Sequence, residues 1–136
     1  MITKINLDTG LITLFLMENP PEKVVKLFTN IKSEKIKAFI VPPILTEVYK
    51  HLCVANGKIF AQNGVIIILE RYPIILVEMT KSLIIKAGEL KYQYRNELSY
   101  VDCFLLACGM LNKLEIHTTE KEFPSIPNLK IVKYQF

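Results

Sequence analysis

The sequence predicts an α/β domain, three layers deep, in which helices cover both faces of a mainly parallel sheet. Two observations predict it. Short apolar runs of strand length, Ile2–Leu7, Ala38–Val41, Ile74–Val77 and Leu114–Ile116, alternate along the chain with longer stretches of helical apolar spacing, the order expected of strand–helix–strand units. The run Ile74–Val77 is apolar throughout, as a strand buried on both faces of a parallel sheet should be.

Taken in order, Ile2, Ile5 and Leu7 make a first strand that ends at Asp8. After Gly10, LITLFLM reads as a buried helix that stops at Asn19–Pro20–Pro21. Pro21 suits the start of the next helix, where a missing N–H costs nothing. In that helix Val24, Val25, Leu27, Phe28 and Ile31 form one face, with Lys23, Lys26 and Lys32 outside. Ala38–Val41 is the second strand, closed by Pro42–Pro43, which cannot continue a central ladder. Ile44, Leu45, Val48, Leu52 and Ala55 line a helix that Asn56–Gly57 ends, as Gly does after a last helical turn. Lys58–Tyr72 is read as a further helix, although its β-branched run Val65–Ile68 favours strand.

Ile74–Val77 is the third strand, and Thr80 caps a helix reaching about Tyr94 with Leu83, Ile84, Ala87 and Leu90 inward. From Val101, the residues Phe104, Leu105, Cys108 and Leu111 recur at helical spacing until Asn112–Lys113. A short strand follows from Leu114, and Ile131–Tyr134 closes the chain as an edge strand.

The totals fit one domain spanning residues 1–136, long enough for a full core. Hydrophobic residues make up 51% of the chain, which excludes a disordered protein. The richest apolar run, Val65–Leu69, is cut by Glu70, Arg71 and Pro73 before it reaches membrane-spanning length. No secretory leader precedes the first strand, so a cytoplasmic protein is expected. The surplus of Ile and Leu points to an apolar surface patch and a subunit interface. With 17 Lys and Arg against 13 Asp and Glu, the net charge of +4 permits a polyanionic partner without demanding one. Cys53, Cys103 and Cys108 read as small buried side chains in a reducing compartment.

Four carboxylates stand out by position. Asp8 ends the first strand, Glu47 lies one turn into the helix after the second, Asp102 opens a late helix, and Glu120 follows the fourth strand. In a parallel sheet with right-handed crossovers, these strand ends share one edge. Carboxylates gathered there repel unless a hard divalent cation neutralises them, and oxygen-only ligands favour Mg²⁺ or Mn²⁺. Such an ion activates water and stabilises a phosphodiester under attack. Each acid also has a structural reading. Asp8 can cap the helix near Gly10, and Ser99-x-x-Asp102 has capping-box spacing. Thr119-x-x-Glu122 has the same spacing, which makes Glu122 a cap or a solvated charge. Glu47 can pair with Lys50 or His51 on its own helix face.

The other candidates carry less. His51 and His117 have no partner pattern of a nucleophile, and the five scattered glycines form no phosphate loop. Lys81, Lys86, Lys91 and Arg95 read as a solvated helix surface. They can hold RNA phosphates only if they form one stripe.

These residues resemble a known family. I-N-L-D-T-G-L-I at the start, V-P-P-I-L-T-E-V-Y near the middle, L-S-Y-V-D-C-F-L-L-A followed by H-T-T-E-K-E-F, and the final I-V-K-Y resemble the PIN domain over nearly the whole chain. Within it, the resemblance is to the small nucleases typified by VapC toxins. That resemblance implies a metal-dependent endoribonuclease using Mg²⁺ or Mn²⁺, the toxin of a toxin–antitoxin pair. Asp8, Glu47 and Asp102 match the three principal acids, Glu120 falls where a fourth, usually Asp, is expected, and Thr9 and Thr118 match small hydroxyl positions that orient ligands or water. It also implies an RNA substrate, a small antitoxin partner and a homodimer. Two readings from other classes stand beside it. One is a PIN-fold RNA-binding or assembly subunit whose metal site has decayed, kept alive by the extra methylene of Glu120. The other is a receiver-like phosphoacceptor domain, which the lone Asp8 and the absence of an acceptor Asp at Val77–Glu78 disfavour.

Overall fold

The computed structural model describes all of residues 1–136. Its centre is β1 (Thr3–Leu7), with β2 (Ile36–Ile40) and β3 (Ile74–Leu76) on one side and β4 (Glu115–Thr118) and β5 (Ile131–Lys133) on the other. The order is β3-β2-β1-β4-β5, and every neighbouring pair is parallel. Parallel neighbours need crossovers, and helices supply three of them: α1 (Thr9–Leu16) with α2 (Glu22–Lys32), α3 (Pro42–Asn56) with α4 (Lys58–Arg71), and α5 (Lys81–Gln93) with α6 (Tyr100–Asn112). The first two steps run outward from β1 and the third returns past it. Right-handed crossovers therefore put α1–α4 on one face and α5–α6 on the other.

The core follows from this layering. Ile5 and Leu7 of β1, Ile12 of α1, Phe28 of α2, Ile44 and Leu52 of α3, and Leu105 and Leu106 of α6 are fully buried. Each such side chain is worth about 1.5–3 kcal/mol of transfer from water. Phe15 stacks on Phe28 with ring centroids 4.0 Å apart, and Tyr72 meets both rings edge-on, which fastens the end of α4 to α1 and α2.

The observed elements correct the sequence reading in several places. The second strand begins at Ile36, and Pro42 and Pro43 are the opening residues of α3 as well as the stop for β2, because the first helical turn has no use for their missing N–H groups. The helix read over Lys58–Tyr72 is borne out as α4, its β-branched run Val65–Ile68 included, because packing on α3 overrides that run's strand preference. At Gly64 an added Cβ would sit only 2.7 Å from Leu52 Cδ1, so this glycine sets how closely the two helices approach. β3 is not a strand buried on both faces. It lies at the sheet margin with Ile75 and Leu76 exposed, and its apolar run reflects surface that neighbours only partly cover. In α6 the buried positions are Cys103 and Leu105–Gly109, while Leu111 faces outward. The three cysteines are free thiols, Cys103 and Cys108 buried and Cys53 half-buried. No helix is long and apolar enough to cross a membrane.

Candidate metal centre at the carboxyl edge of the sheet

The strand order reverses at β1, whose two neighbours, β2 and β4, lead away in opposite directions. The crevice at the carboxyl end of such a reversal is where open α/β sheets hold ligands. Asp8 stands there. It leaves β1 in an extended conformation and caps α1, with its Oδ1 accepting from the Thr9 N–H at 2.7 Å. Its own N–H donates to the His117 carbonyl at 3.0 Å, and its Oδ2 accepts from the Thr118 hydroxyl. The capping role read from the sequence is therefore real, but it does not account for the burial. Only 4% of Asp8 is exposed, and its acid is pushed up to about 6 from the usual 3.8. Loss of hydration is the main cause. The bonds from Thr118 and Thr9 pull the other way, while Asp102 and Glu120 push further up.

Asp102 reaches the same edge from α6, which runs back toward the start of β4 and so begins at the strands' carboxyl ends. Its N–H donates to Ser99 Oγ at 3.1 Å, the N-cap geometry expected from the Ser99-x-x-Asp102 spacing. Its carboxyl is half-buried and also raised, first by burial and then by Glu47, against the hydrogen bonds of Ser99 and the Lys91 ammonium. Glu47, half-buried on α3, takes part in none of the three ion pairs of the molecule, so the expected pairing with Lys50 or His51 does not form. Glu120 is exposed just beyond β4, and its N–H donates to Thr118 Oγ1 at 2.9 Å. Glu122 caps nothing, because no helix follows Thr119; it is a solvated charge.

The four acids thus form a chain of electrostatic neighbours, from Glu120 to Asp8, Asp8 to Asp102, and Asp102 to Glu47. No three of them stand close enough together to chelate one ion as the side chains are placed. Both oxygens of Asp8 are already engaged by hydrogen bonds. The donor chemistry nonetheless fits a hard cation: the groups are carboxylate oxygens, one of them stripped of water, and the buried hydroxyl Thr9 Oγ1 beside them has no hydrogen-bond partner. A groove of about 520 Å³ runs past Glu47, bordered by Pro43, Thr46 and Lys50 of α3 and by Met79 and Val101. Of the four acids, Glu47 alone lines it.

No protein-family model and no curated protein sequence matches the chain. Solved structures do. A VapBC complex of Rickettsia felis bound to a DNA fragment from its promoter superposes with a TM-score of 0.78 at 15% identity, over 98% of this chain and 100% of the other. A sarcin-ricin loop cleaving VapC toxin of Mycobacterium tuberculosis gives 0.70 at 16%, over 87% and 89%. DNA-bound VapBC of Salmonella typhimurium gives 0.72 at 18%, over 98% of each chain. The fold is that of a PIN domain.

Several residues that shape this PIN fold's acidic edge escape sequence reasoning. Asn6 is fully buried in the central strand, and its Nδ2 donates to the Leu105 carbonyl at 3.0 Å, tying the strand that ends at Asp8 to the helix that carries Asp102. Its Oδ1 is buried and accepts no hydrogen bond. Gly10 lets the start of α1 press against the segment after β4: a Cβ there would collide with the Thr119 side chain. His117 is buried in β4, with Nδ1 2.8 Å from the Tyr134 hydroxyl and Nε2 3.2 Å from Glu115. It is a structural clasp between β4 and the segment after β5.

Proposed function

We propose that this chain is a Mg²⁺- or Mn²⁺-dependent endoribonuclease, the toxin of a toxin–antitoxin pair, acting as one PIN domain over residues 1–136. The observation that carries the reading is the buried Asp8 at the reversal point of a PIN-fold sheet, with Asp102 and Glu120 in electrostatic reach of it and Glu47 in reach of Asp102. In this reading Asp8, Glu47, Asp102 and Glu120 are the catalytic and metal-holding residues. A divalent ion held by them would provide an activated water and neutralise charge on the phosphodiester. Thr118 holds the Asp8 carboxylate through its hydroxyl and the Glu120 backbone through its lone pair, so it orients two of the acids together. Thr9 offers its unpartnered hydroxyl to a ligand or water. Solved VapBC complexes among the structural neighbours support a small antitoxin partner. The exposed Val54, Ile59, Ile84 and Ile85 supply apolar surface suited to that partner or to a second copy in a cytoplasmic homodimer.

The test is cleavage of a single-stranded RNA in Mg²⁺ or Mn²⁺. It should be abolished by EDTA and by Asp8→Asn or Asp102→Asn, with circular dichroism unchanged. A second reading, a PIN-fold RNA-binding or assembly subunit with a decayed site, draws on the dispersed acids and the exposed Glu120. RNA binding without cleavage in either metal would favour it.

A further inference from the structure

We infer that the end of α5, the turn after it and the first residue of α6 form a stacking surface that seats unpaired bases of single-stranded RNA beside the acids. Two tyrosines and two cations meet there through consecutive contacts. Tyr100 is 70% exposed, and the Lys91 ammonium stands 4.9 Å from its ring centroid. Lys91 Nζ also donates to the carbonyls of Leu98, at 2.6 Å, and Arg95, at 3.2 Å. Arg95 in turn donates through Nη1 to the Tyr92 carbonyl at 2.9 Å, with its guanidinium carbon 5.2 Å from the Tyr92 ring centroid. Tyr92 is 75% exposed. The cluster is continuous from Tyr92 through Arg95 and Lys91 to Tyr100.

Its position gives it a purpose. The Lys91 ammonium is close enough to Asp102 to oppose the burial that raises that carboxyl's pKa, so one lysine links the aromatic surface to the acidic crevice. The two backbone carbonyls use two of its three N–H donors, and Arg95 commits one of its five to Tyr92. The remaining donors are fixed in place and free for phosphate oxygens. A tyrosine ring offers a π-face to any base, and stacking of this kind requires bases not already paired in a duplex. Exposed rings alternating with immobilised cations match a strand of unpaired nucleotides better than they match a double helix or an apolar protein surface. The Lys81, Lys86, Lys91 and Arg95 series is thus not a uniform solvated stripe, since Lys91 and Arg95 are tied to the turn.

This inference rests on the ribonuclease reading for its substrate and is tested apart from it. Binding of a fluorescein-labelled single-stranded oligoribonucleotide is measured by anisotropy in EDTA, and cleavage kinetics in Mn²⁺. Tyr100→Ala is expected to weaken binding roughly five- to one-hundred-fold, the effect of losing a base–aromatic stack, and to raise KM in parallel with kcat within about twofold. Tyr92→Ala should act in the same direction, Tyr100→Trp should restore affinity, and double-stranded RNA should bind less tightly and ignore both tyrosines. Unchanged Kd and KM in Tyr100→Ala and Tyr92→Ala, or loss of affinity that Tyr100→Trp fails to restore at unchanged Tm, would overturn the inference. So would a protein partner that binds this turn and leaves RNA affinity unaltered when it does. If the wild type binds RNA through these tyrosines yet cuts none in either metal, the surface stands and the nuclease reading falls.

Discussion

Replacing Asp8 with Asn should make the metal-free protein more stable. The carboxyl's acidity moves from 3.8 in the unfolded chain to about 6 in the fold, roughly two units at about 1.36 kcal/mol each, so keeping Asp8 ionised costs about 3 kcal/mol above pH 6. At 4% exposure, little of that is relieved by solvent. The sign follows from proton binding. Between 3.8 and about 6 the native state holds the proton that the unfolded chain has released, so stability falls as pH rises through this window. Asn carries no charge and escapes the penalty. It keeps the bond from the Thr9 N–H and forces the Thr118 hydroxyl to find another acceptor, which offsets about 1 kcal/mol. The net expectation is a gain of about 1–2 kcal/mol, or roughly 3–8 °C in Tm for a chain of this size. The assay is thermal unfolding in EDTA at pH 7.5 and at pH 4, where the remaining penalty of about 0.6 kcal/mol no longer exceeds the lost hydrogen bond and the advantage should vanish. Adding Mn²⁺ should reverse the ranking, because only the wild type gains binding energy, about 2.7 kcal/mol at one hundred times Kd. A Tm for Asp8→Asn equal to or below the wild type at pH 7.5, with parallel pH profiles, would refute the claim that this carboxylate is strained by burial.

Three further outcomes are expected. Thr118→Val should cost about 1–3 kcal/mol in urea unfolding, since it strands the Glu120 N–H and removes the donor to Asp8; the pH at which Asp8 titrates should rise as well. Gly10→Ala should cost about 1–3 kcal/mol by driving a methyl into Thr119, and Thr119→Ala should recover most of it in a double-mutant cycle. Burial of His117 holds its imidazole below the usual 6.5, against the pull of Glu115. Its neutral form therefore supports the fold above pH 6.5, and that support is lost as pH falls through its folded value. His117→Phe should flatten this limb of the pH–stability curve while costing the bond to Tyr134.

How far the sequence could be read depended on whether a residue's role was local. Asp8, Ser99 with Asp102, and Thr80 sit at strand ends and helix caps, where spacing within a few residues carries the signal, and the structure shows each in that geometry. Asn6 was invisible because its partner, Leu105, lies 99 residues away, and a polar residue in a strand reads equally well as facing solvent. Gly10 gave no warning for the same reason: what it accommodates is Thr119, on another strand's exit. Lys91 looked like any charged helix residue until the turn folded its carbonyls around the ammonium. The burial expected of Ile74–Leu76 went astray because apolar composition reports affinity for cover, not whether a neighbouring strand exists to provide it.

The sheet ends on both sides in a strand of only three residues, Ile74–Leu76 and Ile131–Lys133. A foreign backbone trying to lengthen the sheet would find no more than about three rungs to grip, too few to repay the ordering of its own chain. Even with greasy side chains beside one of those margins, molecules of this protein crowded together should resist zipping into cross-strand aggregates.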